Sequence, residues 1–279
     1  MWLVSLLVLI PIFFLVGGGS LPQPILNWLE SVIQSDSAPS ERMVAISFAI
    51  GLAVSGTPLH LFGRYLVTLV HELGHAFVAG VLGGRPQHIT VSLNTSGLAY
   101  SNPPENWGRF RILLVCFAGY LAPPVAALAA VRATLQGLPR SWFAYAVATL
   151  AIAIVFLVRN IWGFLWTALA VTGSYFAAKY LSAEIVASSV PGFAGYLSLE
   201  GLRDARLQQK IVRHSPGSGC DAEKVAWVLR ISPRVAAAIH TFAILGISAY
   251  ATYLSIWPVR AEISKWIEDF IIEAIRKRL

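Results

Sequence analysis

Charge is scarce in this sequence: Asp, Glu, Lys and Arg make up 13% of its 279 residues, against 56% hydrophobic residues. That is too little to cover the surface of a soluble domain of this length. The charges gather at the ends of long apolar blocks, and no block shows the period-2 or clean 3.6-period polarity of a half-exposed element. Cysteine is nearly missing. Cys116 lies in an apolar run and Cys220 beside a Gly/Ser loop, with no Cys-x-x-Cys spacing, so neither a disulfide framework nor a thiolate metal site follows. Acidic residues number 14 against 21 basic ones, a formal net charge of +7. The Lys and Arg residues form no amphipathic or aromatic-interleaved face, so membrane topology explains the excess and a nucleic-acid partner is not expected.

What is present is the composition of a polytopic membrane helix bundle. Blocks able to cross about 30 Å of hydrocarbon fall near residues 2–17, 43–60, 62–82, 111–131, 142–158, 161–180 and 234–257. The first resembles a signal-peptide core but lacks a basic start and a small-residue cleavage site, so it is expected to be retained. The stretch 183–199 is apolar but short and interrupted by Pro191, Gly192 and Gly195. It reads as a broken or re-entrant helix, giving about seven to eight spans in all.

Between the third and fourth spans, alternating β-formers flank Asn94-Thr95-Ser96-Gly97, which predicts a β-hairpin over residues 87–101. Gly83-Gly84-Arg85-Pro86 ends the helix before it, and Asn102-Pro103-Pro104 closes it. Residues 200–233 turn polar and basic, and the positive-inside rule assigns them to the cytoplasm. Residues 258–279 place Ile263, Trp266, Ile267, Phe270, Ile271 and Ile275 on one face, as an amphipathic helix resting on membrane lipid would. No internal repeat or separate soluble domain interrupts residues 1–257, which read as a single transmembrane domain.

The chemistry is concentrated in His71-Glu72-Leu73-Gly74-His75, inside the third apolar block. Residues four apart share a helix face, so His71 and His75 can offer two imidazoles to one metal ion with Glu72 beside them. Two imidazoles and one further ligand leave a zinc position for water, whose pKa falls to about 7 there. Glu72 then serves as general base. An ionised group within hydrocarbon costs on the order of 2.5 kcal/mol or more unless paired or ligated, which favours a functional reading over a chance match.

This motif, followed by Gly83-Gly84-Arg85 and a hairpin, resembles the site-2 protease family of intramembrane zinc metallopeptidases. Ala118-Gly119-Tyr120-Leu121-Ala122-Pro123 looks like the family's Gly-Pro motif in a variant branch of bacterial and plant-like members. The resemblance implies a multi-pass protein of a bacterial-type cell membrane that cleaves a peptide bond within or beside the transmembrane helix of a substrate protein. Family members commonly carry a later Leu-Asp-Gly motif whose Asp is the third zinc ligand, and this sequence has none.

Downstream carboxylates that can fill that place are Glu184, Glu200, Asp204 and Asp221. Asp204 is favoured, since it follows the broken apolar stretch at i,i+4 from Glu200; a solvated face paired with Arg203 or Arg206 explains it as well. Asp221, opening Asp221-Ala222-Glu223-Lys224, reads as a helix N-cap. Asn160 stands nearest in position to the missing motif and either hydrogen-bonds a substrate carbonyl or oxyanion, or caps the next span beside Arg159. His60, His88, His214 and His240 are isolated; only His88 lies close enough in sequence to orient a ligand. The leading expectation is a zinc endopeptidase acting on membrane proteins. A protease-like scaffold without activity, motivated by the absent Leu-Asp-Gly, is the alternative. A metal transporter fits less well, since carboxylates are rare on the other spans.

Overall fold

The computed structural model describes residues 38–105 and 107–265, together with 27, 30, 268 and 269. The expected first span at 2–17 lies outside the described residues, as does most of the expected tail helix. Within them the chain forms eight α-helices and one two-stranded antiparallel sheet. In chain order these are α1 (Glu41–Ser55), α2 (His60–Val81), β1 (Arg85–Val91), β2 (Gly97–Asn102), α3 (Arg109–Leu135), α4 (Pro139–Phe156), α5 (Ile161–Tyr180), α6 (Ala183–His214), α7 (Asp221–Leu229) and α8 (Pro233–Ile256).

The span count is lower than the sequence predicts. Among the described residues, α3, α4, α5 and α8 with its continuation to Lys265 are long and apolar enough to cross a membrane. Two expected spans, 43–60 and 62–82, are α1 and α2, which meet at 102° and together make at most one crossing. Among the described residues the count is therefore four, or five with the bent pair, and the seven to eight expected are not clearly seen. The reason for the bend is local. Pro58 lies in the connection, where it favours a turn over continued helix, and α1 alone is only about 22 Å long.

The stretch 183–199 is not broken. It forms the first half of the 32-residue α6, which runs straight through Pro191. Its glycines serve packing rather than interruption. A Cβ added at Gly195 would strike the backbone of Phe48, and one at Gly51 would come within 2.9 Å of Tyr196 N. Small residues let two helices approach closely where lipid offers no hydrophobic drive to bring them together. The second half of α6 is polar, and the helix is not among those apolar enough to cross a membrane. Yet Glu200 within it is fully buried, taking hydrogen bonds from Ser55 and from Arg203 at 2.5 Å, with Arg64 3.8 Å away. Of the polar stretch 200–233, residues to His214 complete α6, a short loop follows, and α7 begins at Asp221.

α3 and α6 stand at the centre, with Ala127, Ala130, Ala133 and Ala194 fully buried at their contacts. α2 packs on α3, and Gly74 permits the crossing: a Cβ there would meet Ala118 O and the Ala122 methyl at 2.6 Å. α2 ends as the sequence predicts. Gly83 adopts φ 86°, and the Gly84 amide returns to Ala79 C=O at 2.8 Å, a left-handed glycine cap.

The hairpin also forms where expected, with His88 opposite Tyr100, Thr90 opposite Leu98 and Val91 opposite Gly97. Its outer edge on β1 is closed by the segment before α5. Ile89 N–H donates to Leu157 C=O at 2.8 Å, and Arg159 N–H donates to Ile89 C=O at 3.1 Å. Its turn is tied to α2, since Tyr65 O–H donates to Leu93 C=O at 2.6 Å and Thr68 O–H to Thr95 C=O at 2.7 Å. Because the backbone of Ile89 points away from β2, the alternation of an antiparallel pair turns that of its partner Ala99 outward too. The free edge of β2 thus faces α2.

Candidate metal centre

His71 and His75 lie one helical turn apart on α2, their rings edge to face with centroids 4.8 Å apart and their Nε2 atoms 3.1 Å apart. His75 Nδ1–H donates to Val115 C=O at 2.7 Å, which turns Nε2 toward His71 and the centre. The third member is Asp221. Its Oδ2 lies 3.0 Å from His75 Nε2 and 3.4 Å from His71 Nε2. Among the described residues, these three side chains form the one group of His, Cys, Asp or Glu able to hold a metal ion.

The donor set fits zinc. Two imidazole nitrogens and a carboxylate oxygen are acceptable to it, and bonds of 2.0–2.1 Å in a tetrahedron place ligand atoms about 3.3 Å apart. The observed separations of 3.0, 3.1 and 3.4 Å match that edge length. Burial opposes ionisation of Asp221, but hydrogen bonding to His71 and His75 outweighs it and holds the carboxyl well below the ordinary range. The other oxygen, Oδ1, receives Lys224 Nζ at 3.2 Å, so one carboxylate face is tied off and the other is presented to the imidazoles.

α7 carries Asp221 as its first helical residue. The N-cap is Cys220, one position earlier than the sequence suggests, and its side chain makes no capping bond. Asp221 is therefore not spent on capping its own helix, and its Oδ2 points into the bundle. The preceding loop is shaped by Glu223, which accepts backbone N–H bonds from Gly217 at 2.8 Å and Gly219 at 2.6 Å. Both glycines have positive φ, 82° and 72°. Desolvation opposes ionisation of Glu223, and the Gly219 and Gly217 amides with Ser218 prevail, so its carboxyl sits below its usual value.

Asp204, the favoured carboxylate of the sequence reading, has another partner. Its Oδ1 accepts from Arg64 Nη2 at 3.1 Å, and it is not in the metal-capable group. Glu200 is buried with Arg203, Arg64 and Ser55 as described above, and Glu184 lies in the first turn of α6. Glu72 is 5% exposed and sits beside the group without joining it. Its carboxylate is packed against Gly97 and accepts the outward backbone amide of Ala99 on the free edge of β2.

Asn160 uses both ends of its amide on the hairpin. Val91 N–H donates to its Oδ1 at 3.0 Å, and its Nδ2 donates to Val91 C=O at 2.7 Å. It precedes α5 as the N-cap residue but makes no side-chain capping bond. His88 stacks on Tyr100 across the hairpin at 4.1 Å, and His60 bonds Thr57 C=O. His240, read from sequence as isolated, is fully buried at the back of the centre, its Nδ1–H donating to Gln208 Oε1 at 3.0 Å.

One small residue makes the cluster possible. A Cβ at Gly119 of α3 would collide with the His75 ring and stand 2.7 Å from His71 Nε2. The Gly-Pro segment of the sequence thus contributes a smooth surface against the imidazoles, and α3 continues as helix past Pro123 and Pro124.

Fold and site together define a helical membrane protein with a His, His, carboxylate group suited to a metal ion. The sequence profile described as Peptidase M50B-like matches residues 43–254, a range that contains every residue of the site, and the chain belongs to that family. Membership agrees with the likeness to site-2 proteases seen in the sequence. No curated protein and no solved structure matches the chain.

Proposed function

We propose that this protein is an intramembrane zinc endopeptidase, with His71, His75 and Asp221 holding the metal and Glu72 as general base. The observation that carries this reading is the mutual approach of His71 Nε2, His75 Nε2 and Asp221 Oδ2 to within 3.4 Å. Zinc in that position supplies Lewis acidity and lowers the pKa of a coordinated water to about 7.

The chain's own residues perform the rest. Glu72, one residue from His71 and outside the ligand group, takes a proton from the attacking water and returns it to the leaving amine. A helical substrate hides its scissile bond in i to i−4 hydrogen bonds and must be drawn out before attack. The free edge of β2 is suited to that task, since an extended chain can add to it as another strand. Gly97 and Ala99 on that edge border Glu72, so a strand that takes over the Ala99 amide from Glu72 passes beside the base. The substrate class is accordingly a membrane protein with a segment able to unwind. Asn160 holds β1 rather than the substrate, and so sets the register of the edge indirectly.

The scaffold alternative arose from the missing Leu-Asp-Gly motif, and Asp221 removes that motive by offering the carboxylate from Gly219-Cys220-Asp221-Ala222. The test uses purified full chain with dye-quenched casein, an extended polypeptide that needs no unwinding. Wild type is expected to contain one zinc per chain and to cleave, and Glu72→Gln to keep the zinc and lose cleavage. Full cleavage by that variant, or wild type without zinc, ends the proposal.

A further inference from the structure

Hydrolysis of a peptide bond builds negative charge on the carbonyl oxygen, and a fixed donor aimed there is commonly the largest single contribution to catalysis. The groups around the centre are mostly committed. Both amide atoms of Asn160 are held by Val91, Lys224 is on Asp221, and Arg64 is on Asp204 and beside Glu200.

We infer that the hydroxyl of Tyr120 is the hydrogen-bond donor to the substrate's carbonyl oxygen. This rests on the zinc-peptidase reading above and adds a residue to it. The Tyr120 ring meets the His71 ring at 4.6 Å between centroids and 88°, so it lies against one member of the metal-capable group. It also lies nearly parallel to the His240 ring, 5.3 Å away at 19°. His240 is itself fixed, fully buried, bonded to Gln208 and packed at 4.4 Å against Phe117. The phenol ring is thus in contact with both His71 on α2 and a support from α6 and α8 that is itself fixed.

Its hydroxyl, in contrast, has no hydrogen-bond partner among the described residues, while the phenol lies within electrostatic reach of Asp221, Asp204 and Glu72. A phenol is chemically suited to that position. It donates without adding charge to a buried site, and it needs no proton transfer of its own. In the balanced reaction the water oxygen bonds the carbonyl carbon, Glu72 carries the water proton to nitrogen, and the carbon–nitrogen bond breaks. Tyr120 keeps its proton throughout. Gly119 is the companion feature, because any side chain there would push α3, and the adjacent ring, away from His71 and His75.

The experiment compares wild type and Tyr120→Phe, a substitution that removes one oxygen and keeps the ring contacts. Zinc content and thermal stability are measured first, and both should be unchanged. Binding is then measured for a phosphinic peptide built on the casein bond that wild type cleaves, and for the uncleaved amide peptide of the same sequence in the Glu72→Gln background. The phosphinic group presents tetrahedral oxygens where charge develops. Tyr120→Phe is expected to bind the phosphinic peptide about tenfold or more weaker, to bind the amide peptide almost equally, and to lower kcat roughly a hundredfold.

Unchanged phosphinic affinity, equal weakening of both peptides, or loss of zinc would each overturn the assignment of Tyr120. Wild type that holds zinc and cleaves while Tyr120→Phe cleaves equally well removes Tyr120 alone. Wild type with neither zinc nor cleavage removes the peptidase reading and this inference with it.

Discussion

Asp221 and His75, separated by 146 positions in the chain, bring Oδ2 and Nε2 to within 3.0 Å of each other. That contact completes a three-residue group able to hold a metal ion, which no local motif contains, and the predictions start from it.

Asp221→Asn should strip the metal, while Asp204→Asn should leave it. Loss of a direct ligand is expected to exceed the about 10–100-fold fall in affinity typical of a partner that only orients a ligand. Zinc per chain, measured by elemental analysis after dialysis against a weak chelator, separates the two variants. Equal zinc in both would return Asp204 to consideration.

Gly119→Ala should empty the site although the change is a single methyl. The added carbon has no free volume, since the His75 ring and His71 Nε2 occupy it. Gly246→Ala on α8, where nothing lies within 4 Å of the new carbon, serves as the comparison and should keep zinc and stability. Retained zinc in Gly119→Ala would show that α3 can withdraw without disturbing the imidazoles.

Asn160→Ala should loosen the hairpin before it touches the metal. Val91 would lose both backbone partners, a cost of about 1–3 kcal/mol for each buried group left unsatisfied. Faster hydrogen exchange over residues 85–102 with unaltered zinc content is the expected result. Zinc loss with an intact hairpin would instead place Asn160 at the reaction centre.

Acid should release the loop before α7. Glu223 is held below its ordinary pKa by the loop amides, so its contribution is complete above the unfolded value of about 4.3 and fades as pH falls through the lower folded value. Glu223→Gln should bring the low-pH behaviour to neutral pH. Limited proteolysis within residues 215–220 reads this directly, and equal cleavage of variant and wild type from pH 7 to pH 3 would contradict it.

Much of this protein was legible in one dimension because its signals are local. His71, Glu72 and His75 share one helix turn and announce themselves by spacing. The hairpin is announced by alternation around Asn94 and Gly97, and the end of α2 by Gly83, whose left-handed backbone is a property of a few adjacent residues. The apolar blocks of α3, α4, α5 and α8 likewise follow from composition over one window.

The tertiary structure decided what depends on contacts between distant segments. Pro191, Gly192 and Gly195 look like helix breakers in sequence, and only the backbone of α1 against α6 reveals them as a close-packing surface. Asp204 and Asp221 are both acidic residues near basic ones, and chemistry alone does not rank them. Arg64, 140 residues earlier, claims Asp204, and a one-position shift of the α7 cap to Cys220 frees Asp221 for the imidazoles. Sequence by itself determined the two histidines, Glu72 beside them and the membrane setting. The carboxylate that joins them was decided by competition among partners, which exists only once the helices are packed.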